Sequence, residues 1–156
     1  MSVVAWDGKI IAADKLCVSA DMRSTTTKIV RLPRESQKQL AGGPDLKEVV
    51  LAWVGEQGGG LALLDWYKSG CNPGEWPAAQ RTADWTRLLV ADKDGVVFYE
   101  REPRAQKVEE PFMAWGSGRD FAMGAMAMGA DARQAVEVAS RFSTNCGGGV
   151  DWYDLQ

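Results

Sequence analysis

MSVVAWDGKIIAAD, residues 1–14, decides how this chain begins to fold. Val3-Val4-Ala5-Trp6 and Lys9-Ile10-Ile11-Ala12-Ala13-Asp14 are short, largely apolar runs, and Asp7-Gly8 between them is a two-residue hairpin signal. A third run, KLCVSA at 15–20, extends the hairpin into a β meander. The first strand starts hard against Met1 with only Ser2 between them, which leaves no room for a leader. Ser2 is then either a trivial terminal residue or the working end of the protein.

Outward from the meander, TTTKIVRL (25–32) is β-branched and flanked by Pro33, so it reads as a further strand, and RESQKQLAGGPD (34–45) as a long loop or loose hairpin. EVVLAWVG (48–55) returns as a buried strand. Gly58-Gly59-Gly60 then leads into LALLDWYKSG, where Leu61, Leu64 and Tyr67 or Lys68 recur at helical spacing and Gly70 suits a C-cap. CNPGEWPAAQ (71–80) is rich in turn formers and covers a surface, and RLLVADKDGVVFYE (87–100) brackets Asp94-Gly95 as a second hairpin. FMAWGSG (112–118) is a strand ending in a glycine turn. RDFAMGAMAMGA and DARQAVEVASRFST follow as consecutive helices, the second capped by Asp131, and GGGVDWYDL (147–155) closes the chain as a strand. Strands in blocks with helices in pairs, not in βαβ alternation, predict a layered α+β architecture with largely antiparallel sheets.

Composition narrows the chemistry. At 156 residues, 46% of them hydrophobic and 25% charged, the chain fits one domain with a real core. The net charge is −3, and the eighteen Lys and Arg are spread among twenty-one acids without a basic stripe, which argues against nucleic acid. With no run of ~18 apolar residues for a spanning helix and no leader ahead of the first strand, no membrane role is suggested and the expected location is cytoplasmic. Cys17, Cys71 and Cys146 are three and far apart, which fits reduced thiols. Histidine is absent, and this excludes Ser-His-Asp, Cys-His and His-ligated metal mechanisms. Nor is there a C-x-x-C spacing, so neither metal nor cofactor is expected.

Five features in order carry a resemblance: a small nucleophilic residue after Met1, a GKIIAAD strand ending in Asp14, a lysine in TTKIVRL, an AWVG strand entering a glycine-rich turn and helix, and GSG before a helix pair. Together they span the chain, which resembles a proteasome β-type subunit, nearest to the small HslV-like versions. The resemblance implies a single domain over residues 1–156, a four-layer αββα sandwich, and an N-terminal nucleophile hydrolase with its catalytic group at the exposed end of the first strand. Such an arrangement suits a histidine-free chain. Once Met1 is removed, which the small side chain of Ser2 favours, the Ser2 α-amine has an ordinary pKa of about 8 and can serve as the base for its own hydroxyl.

By matching motifs, Lys28 is implied as the active-site lysine that lowers the hydroxyl pKa, with Asp14 holding it; a long cation directed inward from a strand needs such a partner. Gly55 is implied as the backbone oxyanion donor, against the plainer reading of a turn glycine. Trp53, two residues earlier on the same face, matches the floor of a substrate pocket, shallow enough to prefer small residues; a core aromatic is an equal alternative among seven tryptophans. Cys17 and Val18 match the segment whose backbone pairs with an extended peptide. Ser117 matches a serine close to the nucleophile and its amine, or is a plain turn serine. The resemblance further implies a homo-oligomeric double ring acting on unfolded polypeptide, fed by an AAA+ unfoldase.

Departures from the pattern bear on activity. Ser2 stands where threonine is usual and lacks the methyl that fixes the rotamer; Val3 replaces a second threonine; the loop between Lys28 and Trp53 is long; and the acid expected after the last helix is absent, with Ser143, Asn145 and Cys146 in its neighbourhood. Glu56 follows Gly55 where a second glycine is frequent, and a carboxylate there opposes an oxyanion. Two readings therefore stand: a Ser2-dependent peptidase, with transfer of the acyl group to an amine as a variant, and a ring-forming scaffold of the same fold without catalysis. The helices AMGAMAMGA and LALLDWYKSG would supply ring contacts or simply core.

Overall fold

The opening run folds as β1 (Val3–Trp6), buried along its whole length, and returns as β2 (Ile10–Asp14). The computed structural model describes residues 2–156. They gather into two compact units, one of the residues up to Ile29 together with Glu109–Gln156, the other of Val30–Val108.

In the first unit the chain continues through β3 (Leu16–Ser19) and β4 (Met22–Thr25), an antiparallel two-stranded ribbon. The second unit takes up β5 (Ile29–Leu32), β6 (Val49–Val54), helix α1 (Gln57–Lys68), β7 (Arg87–Asp92), β8 (Gly95–Tyr99) and the two-residue β9 (Gln106–Lys107). Its sheet runs β5-β6-β7-β8-β9, with β6 to β9 antiparallel in sequence. The chain then re-enters the first unit with β10 (Met113–Gly116), α2 (Arg119–Ala127), α3 (Ala132–Phe142) and β11 (Val150–Asp154). There the sheet order is β10-β1-β2-β11, every pair antiparallel, and α2 and α3 pack on it through Ala122, Met126, Ala135, Val136 and Ala139. The α+β class with antiparallel sheets is as the sequence predicts.

Several boundaries differ from the sequence reading, each for a local reason. In the first hairpin Asp7 N donates to Ile10 O, so the loop is Gly8-Lys9; the Asp7 carboxylate takes the Lys9 and Ile10 amides and moves the turn one residue on. Asp92 does the same for Asp94 N, and Gly95 pairs with Asp92 as the first residue of β8. TTTKIVRL is not one strand: β4 ends at Thr25 and β5 starts at Ile29, so Lys28 precedes a strand instead of lying inside one. The glycine triplet lies within α1, not ahead of it. A Cβ on Gly60 would strike the Trp53 ring and one on Gly59 the Thr86 side chain, so these residues let the helix start close against β6. CNPGEWPAAQ does not merely cover a surface: it forms 3-10 turns that bury Trp76 and Gln80. Trp66 meets Trp76 and Tyr99 edge to face at 4.7 and 5.2 Å in the core of the second unit.

Candidate active site

The end of β2 holds a carboxylate away from water. Asp14 is 0% exposed. Its Oδ1 accepts from Val3 N at 3.0 Å and Lys28 Nζ at 2.8 Å, its Oδ2 from Gly147 N at 3.0 Å and Leu16 N at 3.3 Å. A buried charge survives when it is paired and its lone pairs are met, and here both conditions hold. These donors come from β1, from β3, from the residue before β5 and from the glycine run before β11. One side chain thereby ties together stretches remote in sequence.

Lys28 is 5% exposed, and it shares Oδ1 with the amide of the residue after Ser2, which sets the ammonium beside the head of β1. Ser2 itself is 2% exposed. Its nitrogen donates to Ser117 Oγ at 3.1 Å, Ser117 Oγ donates back to the Ser2 carbonyl at 3.3 Å, and Gly118 N donates to that carbonyl at 3.2 Å. The approach requires glycine before Ser117: Gly116 has φ +96°, and a Cβ on it would strike the Ser2 carbonyl. The Ser2 hydroxyl is buried with no hydrogen-bond partner among the described residues, a state that ordinarily costs about 1–3 kcal/mol. Met1, whose removal the sequence reading requires, lies outside the described residues.

The first unit thus brings together Ser2, Asp14, Lys28 and Ser117. Cys17 and Val18 sit half-buried on β3, paired with Ser24 and Arg23 of β4; no further strand joins this ribbon among the described residues, so the other edge of β3 lies outside any ladder. Gly55 and Trp53 belong to the second unit. Gly55 turns the chain from β6 into α1 at φ +121°, where a Cβ would crowd Thr86 Cα at 3.1 Å. The buried Trp53 donates through Nε1 to Gln57 at 2.9 Å, its ring against Gly60. Glu56 is the N-cap of α1: its carboxylate accepts from Gly58 N at 3.2 Å and Gly59 N at 2.9 Å, where the positive end of the helix favours it.

Cys146 had no role in the sequence reading beyond marking where an acid is missing. It is buried, and its thiol is pushed up from the ordinary range by burial first and by the Asp14 carboxylate second. The available signal was its place directly before Gly147, whose amide holds Asp14.

Solved structures of similar shape cover essentially the whole chain. Thiobacillus denitrificans BPH in complex with epoxomicin superposes with a TM-score of 0.70 at 21% identity over 100% of both chains. Eukaryotic HslV from Trypanosoma brucei gives 0.62 at 16% identity over 97% of each. Anbu, an ancestral beta-subunit, from Yersinia bercovieri gives 0.66 at 13% identity, over 99% of this chain and 82% of that one. No protein-family model and no curated protein matches the sequence.

Proposed function

We propose, from the premise that this chain has the proteasome-like N-terminal nucleophile hydrolase fold, that it is a peptidase working through an acyl-enzyme on Ser2. The observation that supports this most is the surroundings of Ser2: its nitrogen rests on Ser117, Asp14 holds Lys28 and the Val3 amide on one oxygen, and the Ser2 hydroxyl is buried with no partner among the described residues.

Removal of Met1 converts the Ser2 amide nitrogen into an amine, with an ordinary pKa of about 8. The neutral amine takes the Oγ proton as Oγ attacks the scissile carbonyl carbon, and the carbonyl electron pair moves onto oxygen. We assign the donor for that oxyanion to the Gly55 amide, as the resemblance implies. Collapse breaks the C–N bond, and the proton held by the Ser2 amine goes to the departing peptide amine. An ester on Ser2 remains; water, deprotonated by the same amine, releases the acid and restores the hydroxyl. Lys28 as a cation favours the developing alkoxide, Asp14 fixes Lys28, and Ser117 fixes the amine. Cys17 and Val18 would receive an extended peptide along the open edge of β3. Trp53 would floor the pocket for the residue before the cut. The substrate class is unfolded polypeptide, delivered into a homo-oligomeric double ring by an AAA+ unfoldase.

Intact-mass measurement tests the chemistry. Protein purified from cells is expected to lack one methionine and to gain one equivalent of a serine-directed fluorophosphonate on residue 2. Ser2→Ala is expected to abolish the addition and Lys28→Ala to slow it at least ~100-fold, the scale of a lost acid–base partner. Mature protein that takes up no label favours the scaffold reading. Light scattering that returns a monomer mass overturns the ring.

A further inference from the structure

Thr86 has no part in the mechanism above, yet its side chain holds the turn that carries the Gly55 amide. β6 and β7 pair as far as Val54 and Arg87, and the chain then leaves the ladder at Gly55, whose φ of +121° turns it toward α1. Thr86 stands beside this exit, 0% exposed. Its Oγ1 donates to Glu56 O at 3.0 Å and lies 3.2 Å from where a Cβ on Gly55 would stand; a Cβ on Gly59 would strike it. The buried Gln80 fixes Thr86 in turn: Oε1 accepts from Thr86 N at 2.9 Å, and Nε2 donates to Thr86 O at 2.5 Å and to Glu100 O at 2.6 Å. One carboxamide thus takes both backbone polar groups of Thr86, and a β-branched side chain on a fixed backbone has few rotamers open to it.

We propose that Thr86 is a positioning residue for the reaction: its hydroxyl pins the Glu56 carbonyl and its bulk fills the side of Gly55 that carries no side chain, so that the Gly55 N–H is held in one direction. The inference rests on the reading in which Ser2 is the nucleophile and Gly55 the oxyanion donor. An oxyanion donor works by being aimed before the charge develops, and glycine, with the widest backbone freedom, does not aim itself. Its neighbours do so here. Val54 is held by its pairing with Arg87, and Glu56 at both ends, its carboxylate by Gly58 N and Gly59 N and its carbonyl by Thr86 Oγ1 and by Gly60 N at 3.1 Å. The bonds from Gly58, Gly59 and Gly60 come from α1 itself and move with the helix. Thr86 lies directly ahead of β7, so its bond ties the turn to the sheet. Without the hydroxyl, α1 and the Glu56 carbonyl can shift together and take the Gly55 amide off its line.

Two readouts on the mature chain test this. Thr86→Val keeps the shape of the side chain, and Glu56 O keeps its bond from Gly60 N, so no buried group is orphaned and the variant is expected to fold. Its limiting rate of addition of the fluorophosphonate to Ser2 is expected to fall about tenfold, less than the ~10²–10³-fold of losing a donor outright, with the half-saturating concentration unchanged. The phosphoryl oxygen of that stable adduct takes the oxyanion's place, so its ³¹P resonance is expected to move as well. Thr86→Ala removes the same donor and is expected to give the same two changes. Thr86→Ser, whose hydroxyl can donate from the same place, is expected to restore both, which separates loss of packing from loss of the bond. A native rate in Thr86→Val and Thr86→Ala, or a slowed rate with an unmoved resonance, overturns the positioning role while Ser2 stands. No addition to the native mature chain overturns the Ser2 reading, and the role of Thr86 falls with it.

Discussion

Asp14 is the residue on which the site turns, because its buried carboxylate is balanced by the ammonium of Lys28 and shared with backbone amides of three separate segments. Lys28→Met keeps the length of the stem and removes the charge, so the carboxylate is left buried with N–H donors but no cation. Loss of one partner of a buried pair costs about 3–5 kcal/mol, and urea unfolding of Lys28→Met is expected to show a loss of that size. Adding Asp14→Asn to Lys28→Met is expected to recover part of it, since a neutral amide does not need the ammonium. A Lys28→Met midpoint within about 1 kcal/mol of the parent would mean that water, not Lys28, meets the charge. Neither residue was legible as a site from its own chemistry, because a buried cation and a solvated one look alike among eighteen Lys and Arg. The ordered resemblance singled them out, and the 2.8 Å contact across fourteen residues shows the pairing.

At the scale of the element, the glycines of α1 and α2 look the same in the sequence and have opposite meanings in space. A methyl on Gly60 meets the Trp53 ring, which is locked by its hydrogen bond to Gln57, so Gly60→Ala overpacks the core of its unit and is expected to cost about 1–3 kcal/mol. Gly124 in α2 has nothing within 4 Å of its added Cβ, and Gly124→Ala is expected to gain about 0.5–1 kcal/mol by restricting the unfolded chain. Thermal melts of the two variants should move in opposite directions. α3 carries a capping box, Asp131 with Gln134, and a second anchor in which Ala132 N donates to Asp7 at 2.8 Å. Asp7→Ala loses that anchor and its own turn together, and chemical denaturation is expected to show a loss of about 1–2 kcal/mol. Strands, caps and turns of this sort were legible because their causes are local. Turn positions slipped by one where an aspartate side chain competed with the ladder, and β9, two exposed polar residues, offers no apolar pattern to read.

At the scale of the molecule, what could not be read was the order of pairing. The sheet β10-β1-β2-β11 sets residue 2 beside residue 117, and no local signal in either segment specifies that; registers between remote strands are fixed by which apolar faces bury together. The second unit has a property that is equally collective. Cys71 and Tyr99 are each pushed up chiefly by burial, the thiol from 9.0 to about 11 and the phenol from 10.0 to about 12. In both, the neutral form is favoured by folding. Above pH 9 the unfolded chain ionises Cys71 first, so it binds fewer protons than the folded one and stability must fall as pH rises; below pH 9 the contribution is fully present. Tyr99 extends the decline from about pH 10 to about 12. Tryptophan fluorescence, which follows Trp66 and Trp76 beside Tyr99, is expected to report a urea midpoint that drops through this window. In Cys71→Ala the decline should begin about one pH unit later, and it should largely vanish only when Tyr99→Phe and Tyr67→Phe are added, since the Tyr67 phenol of the same core is also pushed up by burial. A slope that survives in the triple variant would place its cause outside this aromatic core.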